Sequence, residues 1–144
     1  MKNQTLLCFD YGEKRIGSAI GQTVTATATA LQIIKVVNRK PNWEKIEYLI
    51  EEWRPDKLIV GHPLTLEGGR QKMTDAAEKF GRQLNGRFKL PVEFIEEQLS
   101  SYEARRELKS TYDLDSVAAR LILETWLRDN ILENHRQNDI NRED

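Results

Sequence analysis

Three carboxylates in this chain are the residues best suited to chemistry. Asp10 ends an apolar run, Leu6-Leu7-Cys8-Phe9-Asp10-Tyr11-Gly12. Glu97 ends a later one, Val92-Glu93-Phe94-Ile95-Glu96-Glu97, and Asp115 opens a helical pattern, Asp115-Ser116-Val117-Ala118-Ala119. An acid at the tip of an apolar strand is costly unless it is solvated, hydrogen-bonded or bound to a cation. Three such acids brought together repel one another, and a divalent ion is the natural way to hold them. The chemistry this favours is metal-assisted hydrolysis of a phosphodiester. Ligands that are all oxygen suit Mg²⁺ or Mn²⁺ better than zinc, and a pair of ions roughly 3.5–4 Å apart would activate water and stabilise the leaving oxygen.

Each acid also has a plainer reading. Asp10 can start a turn, Asp115 can simply cap a helix, and Asp113 competes with it for the third position. Side chains alternate along a strand, so only one of Glu96 and Glu97 can share a face with Asp10. Nearby cations, Lys14, Arg15 and Arg70, lie on loops or strand starts where they can meet a phosphate or merely be solvated. His62 is read as a loop residue after a strand.

These residues need a scaffold, and the periodicity supplies one. Residues 5–10 form a short buried strand, 15–21 a second, and 26–37 end in a third, antiparallel to the second. Trp43, Ile46, Leu49, Ile50 and Trp53 then fall on one helical face, with Pro41 near its start and Pro55 as its stop. Residues 57–61 are a fourth strand. Met73, Ala76, Ala77, Phe80 and Leu84 mark a second helix with Gly86 as its expected end, and 91–95 are a fifth strand. Ser100 and Glu103 suit a capping box, and a last helix carries Ala118, Leu121, Ile122 and Trp126. The order βββαβαβαα predicts an α/β domain over residues 1–134: a mixed five-stranded sheet with helices on both faces. The first, fourth and fifth strands are expected to run parallel, so Asp10 and Glu97 emerge at the edge where open α/β sheets bind ligands. Residues 135–144 are polar and expected to be a disordered tail.

The bulk properties constrain the partners. The 144 residues suit one domain, and a formal net charge of −1 means that any nucleic-acid surface must be a local patch. The single cysteine, Cys8, sits in an apolar strand and reads as a buried thiol in a reducing compartment. No signal peptide is recognisable at the start, and no apolar run approaches the ~18 residues of a membrane span. The expected location is the cytoplasm.

Four ordered motifs narrow the choice. They are Asp10-Tyr11-Gly12-Glu13-Lys14-Arg15-Ile16-Gly17; Val60-Gly61-His62-Pro63-Leu64 followed by Gly68-Gly69; Glu96-Glu97-Gln98-Leu99-Ser100-Ser101 with Glu103-Ala104; and Asp115-Ser116-Val117-Ala118-Ala119. Together they resemble the YqgF family, also called RuvX, over roughly residues 5–130. The resemblance implies an RNase H-like fold related to RuvC and a bacterial, cytoplasmic nuclease. It implies Asp10, Glu97 and Asp115 as catalytic and metal-holding residues, and Arg15 as the best candidate for phosphate contact. The implied activity is cleavage at the 5′ end of precursor 16S ribosomal RNA, or alternatively Holliday junction resolution in DNA. The partners would be structured RNA or branched DNA, and a junction substrate would favour a homodimer. The family commonly has arginine where this chain has Gln98, which removes a charge from beside the acids. Two other classes fit less of the pattern. One is a non-catalytic nucleic-acid-binding module. The other is a sugar-kinase-type ATPase, which normally needs two such domains.

Overall fold

The structure, a computed structural model, describes residues 3–12, 14–62, 72–96 and 117–130. Seven strands and three helices lie within them. The strands are β1 (Thr5–Asp10), β2 (Arg15–Gln22), β3 (Thr27–Ala30), β4 (Ile34–Val37), β5 (Lys40–Pro41), β6 (Lys57–His62) and β7 (Val92–Glu96). The helices are α1 (Trp43–Trp53), α2 (Lys72–Phe88) and α3, residues 117–130. One sheet runs β5-β4-β2-β1-β6-β7, with β3 also paired to β2. β1 is antiparallel to β2 and parallel to β6, and β6 is parallel to β7. The parallel trio expected from the sequence is therefore present. No helix of the described residues is long and apolar enough to cross a membrane.

The strand count is corrected from five to seven. The third strand expected at the end of residues 26–37 is present as β4, and two unexpected strands are added, β3 before it, also antiparallel to β2, and β5 after it. Fully buried Ser18 in the middle of β2 lies opposite the gap between β3 and β4. Its hydroxyl donates to the carbonyl of Gln32, and its own carbonyl accepts from Leu31 N at 2.8 Å. A side-chain bond thus replaces a rung of the ladder, and the strand steps aside there. Beyond β4, Asn38 and Arg39 both adopt positive φ, 52° and 61°, and turn the chain into the two-residue strand β5.

Strand β1 reads as an unbroken apolar run because both of its faces are covered. Leu7 and Phe9 join Ile16, Ile20, Ile34 and Val36 under α1 (Ile46, Leu49) and α2 (Ala77, Phe80, Leu84). Leu6 and Cys8 join Ala19 and Ile59 on the other face, under Ala119, Ile122, Leu123, Trp126 and Leu127 of α3. Helices do lie on both faces. Cys8 is buried, as its setting in the sequence predicts. At ~1.5–3 kcal/mol per fully buried large apolar side chain, these two layers outweigh an exposed ion pair worth ~0–1 kcal/mol.

Helix ends follow local chemistry. Asn42 caps α1 by accepting from Lys45 N, and Arg54 closes it in a left-handed conformation just before Pro55. α2 does not stop at Gly86. It runs on to Phe88, which packs beside Trp43 at a ring separation of 6.3 Å, and Lys89 takes the left-handed cap instead. Packing of the last half-turn outweighs glycine's preference for the stop. Trp43 packs against Phe80 and Phe88, whereas Trp53 is exposed.

Candidate active site

Asp10 is the last residue of β1. Alternation places it on the face of Leu6 and Cys8, the one covered by α3, and it is half-buried there. Its register partner on β2 is Gly17. On β6, Phe9 pairs with Val60, so the residue level with Asp10 is Gly61. Neither neighbouring strand therefore presents a side chain beside this carboxylate. The result is a cradle, floored by backbone, that a Cβ on either side would narrow. Asp10 also has a polar partner of its own.

The loop after Asp10 is tightly constrained. A Cβ on Gly12 would lie 2.5 Å from the carbonyl oxygen of Arg15. Only glycine lets the chain turn so close to the start of β2. Tyr11 fixes the other side of this loop, its ring 5.1 Å from that of Phe80. Lys14 and Arg15 follow the turn, and both are exposed.

The parallel strands bring a second segment to the same edge. Val60 pairs with Phe94 and Gly61 with Ile95, so Ile95 is level with Asp10. Ile95 packs with the α3-side layer, on the Asp10 face. β7 ends one residue later, at Glu96. Glu97, Asp115, Asp113, Arg70, Gln98 and the expected capping box at Ser100 and Glu103 lie outside the described residues. Among the described residues, no three His, Cys, Asp or Glu side chains gather as a metal site. His62 is the last residue of β6 rather than a loop residue, its backbone paired with Glu96.

Helix α3, whose described part begins two residues after Asp115, is seated by features the sequence reading missed. Gly21 on β2 lets it approach. A Cβ there would sit 2.8 Å from the carbonyl oxygen of Thr27 on β3 and 3.1 Å from both Leu123 and Leu127. At the far end of the parallel strands, Trp126 Nε1 donates to the carboxylate of Glu93 on β7. Lys57 of β6 completes the group, 3.9 Å from Glu93 and 5.4 Å from the indole centroid. Helical spacing marks Trp126 as apolar, but its polar partner becomes visible only once the β6–β7 register is known.

Comparison with known proteins places this geometry. Residues 4–129 match the model of a family described as "RuvX: Holliday junction resolvase". A protein of Hydrogenovibrio crunogenus named "Putative pre-16S rRNA nuclease" is 52% identical over 120 residues, covering 83% of this chain and 90% of its own length. Proteins of the same name from Burkholderia mallei and Saccharophagus degradans are 47% and 46% identical over 141 and 136 residues. Those matches span 95% and 89% of this chain and 96% of each relative. Among solved structures, the fold is similar to a Fowlpox virus resolvase bound to Holliday junction DNA, with a TM-score of 0.57 at 15% identity over 87% of this chain and 97% of that one. It is also similar to T. thermophilus RuvC in complex with a Holliday junction substrate, with a TM-score of 0.53 at 14% identity over 89% and 96%. The sheet with its parallel trio is thus the RNase H-like sheet of the RuvC type, and the chain belongs to the RuvX family.

Proposed function

We propose that this protein is a metal-dependent endonuclease that hydrolyses phosphodiester bonds in the 5′-end processing of precursor 16S ribosomal RNA. The observation that carries this reading is Asp10, held at the carboxyl edge of β1 between two glycines, on the edge where β6 and β7 also end. The relatives matched along most of their length carry a pre-16S rRNA nuclease name.

The residues fit Mg²⁺ or Mn²⁺. Asp10, Glu97 and Asp115 would hold one or two ions with oxygen alone. The phase of β7 favours Glu97 over Glu96, because Ile95 shares the Asp10 face and residue 97 follows it by two. β1 and β7 are two strand spacings apart, ~10 Å, which an Asp, an ion at ~2.1 Å from each ligand and a Glu can bridge. When bound, the metal supplies Lewis acidity to the phosphodiester and a water nucleophile at neutral pH. Side chains supply the rest. Lys14 and Arg15 follow the turn after Asp10 and would hold the phosphate, and Arg70, between β6 and α2 in the chain, would add to them. Gly17 and Gly61 leave room for the scissile group.

The second reading, resolution of a four-way DNA junction, is favoured by the family's description and by the two junction-bound structures that share the fold. One experiment separates these from a non-catalytic module. Wild type and Asp10→Asn are incubated with precursor 16S rRNA and with a four-way DNA junction, in Mn²⁺ or in chelator. Cleavage of the RNA that needs both Asp10 and metal is the expected result. Cleavage of the junction alone selects the second reading, and cleavage of neither overturns both.

A further inference from the structure

Residues 14–43 contain five of the chain's 22 lysines and arginines and none of its 23 acids. The fold gathers these five, Lys14, Arg15, Lys35, Arg39 and Lys40, at one corner of the sheet, and all are exposed. Arg15 and Lys35 are register partners on β2 and β4. Like charges placed directly opposite each other destabilise a sheet, and of this pair Arg15 has an interaction partner of its own. Lys40 pairs with Val37, two residues beyond Lys35, and so shares its face. That is the Asp10 face, because Arg15 precedes Gly17, Asp10's partner, by two residues. No described helix covers it there, and Val37 is 65% exposed. Among the described residues no carboxylate forms an ion pair with Lys35, Arg39 or Lys40. Arg39 holds positive φ at a hairpin tip where glycine is the low-cost residue.

We propose that this β2–β4–β5 corner is a track for the phosphate backbone of a helical nucleic-acid arm flanking the scissile bond, with Lys35, Arg39 and Lys40 extending the contact begun by Lys14 and Arg15. The proposal rests on the nuclease reading for its direction, outward from Asp10. Two strand spacings and two residues separate Asp10 from Lys35, ~12 Å, about a third of a duplex turn. An arm anchored at the cradle therefore reaches the hairpin without bending.

The test is fluorescence anisotropy with labelled RNA and DNA duplexes, in chelator, across a salt series. Three lost phosphate contacts at ~0.9 each should flatten the log–log salt slope of Lys35→Gln/Arg39→Gln/Lys40→Gln by about 2.7. Carried over the decade from 1 M to 0.1 M salt, that slope caps the loss of affinity at about 500-fold, and about tenfold is the least expected. The duplex that loses more identifies the arm as RNA or DNA. A control of equal charge change, Lys79→Gln/Arg82→Gln/Arg128→Gln, should retain the wild-type slope. Arg39→Gly should raise Tm while weakening binding, a divergence that a purely structural arginine would not produce. A wild-type slope in the hairpin variant, or an equal loss in the control, overturns the track. Cleavage is scored separately: if the wild type cuts no substrate the nuclease reading falls, and the anisotropy result still decides the corner.

Discussion

Replacing Gly12 with alanine tests whether the turn after Asp10 is as constrained as its geometry says. The added Cβ would stand 2.5 Å from the carbonyl oxygen of Arg15, where ordinary contacts begin near 3.4 Å. The obstacle is backbone, so about an ångström of relief must come from moving the loop or the start of β2. Overpacking of this kind costs ~1–3 kcal/mol. For 144 residues each kcal/mol lowers Tm by about 3–4 °C, so a fall of roughly 3–12 °C is expected. The loop begins at Asp10, and a displacement of ~1 Å at a reacting group can cost about 100-fold in rate. Differential scanning calorimetry and metal-dependent cleavage, measured well below the variant's Tm, read the two effects. Leu49→Ala is the control: it empties a buried site on α1 and should cost ~2–5 kcal/mol while leaving turnover per folded molecule intact. If Gly12→Ala melts and cleaves like wild type, the close approach is wrong. If its turnover falls no further than that of Leu49→Ala, the turn does not position Asp10.

Asp10→Asn should abolish metal-dependent cleavage and the thermal stabilisation by Mn²⁺ while the apo protein remains folded; retained turnover would remove Asp10 from the site. Mn²⁺ should raise the wild-type Tm more at pH 7 than at pH 4, because protons compete for carboxylate ligands, and equal shifts would argue against such a site. Trp126→Phe removes the donor to Glu93 and should cost ~0.5–1.5 kcal/mol, a Tm loss of about 2–6 °C by calorimetry. Deleting residues 136–144 should leave Tm and cleavage unchanged, since one isoleucine among nine residues cannot offset an ordering cost of ~1–2 kcal/mol per residue. A drop of several degrees would mean that the segment packs.

Strands β1, β6 and β7 were legible in the sequence because parallel strands buried on both faces appear as short apolar runs between turn signals, and that alone puts Asp10 at a strand tip. Strand β3 was not legible, whereas the apolar end of residues 26–37 was read as the strand that β4 occupies. The Thr-Ala alternation of residues 25–30 carries no large apolar side chain, so β3 shows only through its pairing with β2. Nor could a single sequence show that Gly17 and Gly61 flank Asp10. That fact lives in the register of three strands, two of them about fifty residues apart in the chain. The end of α2 was misplaced because a glycine signal is local, whereas Phe88 answers to Trp43 on another helix. The corner of cations was hidden by a net charge near zero, which averages a basic sheet edge with the acidic helix α1. Glu97 and Asp115 rest on their places in the sequence pattern and on the motif resemblance, and Arg70 on its place in the chain; all three lie outside the described residues.

The central place of β1 has a consequence for how the molecule is made. Its pairing with β2 closes within the first 22 residues, but its other edge waits for β6, which begins at Lys57. During synthesis at ~5–20 residues per second, Leu6 to Phe9 therefore spend several seconds as half of a hairpin with an open apolar edge. Local pairings form early and distant ones late, so the closing of that edge is the topologically slow event. Cys8 lies at its middle, opposite Ile59, and its thiol is fully buried only when α3 also covers that face. The one thiol of the chain is thus a built-in clock: the moment it stops reacting with an alkylating reagent is the moment α3 closes over the joined sheet.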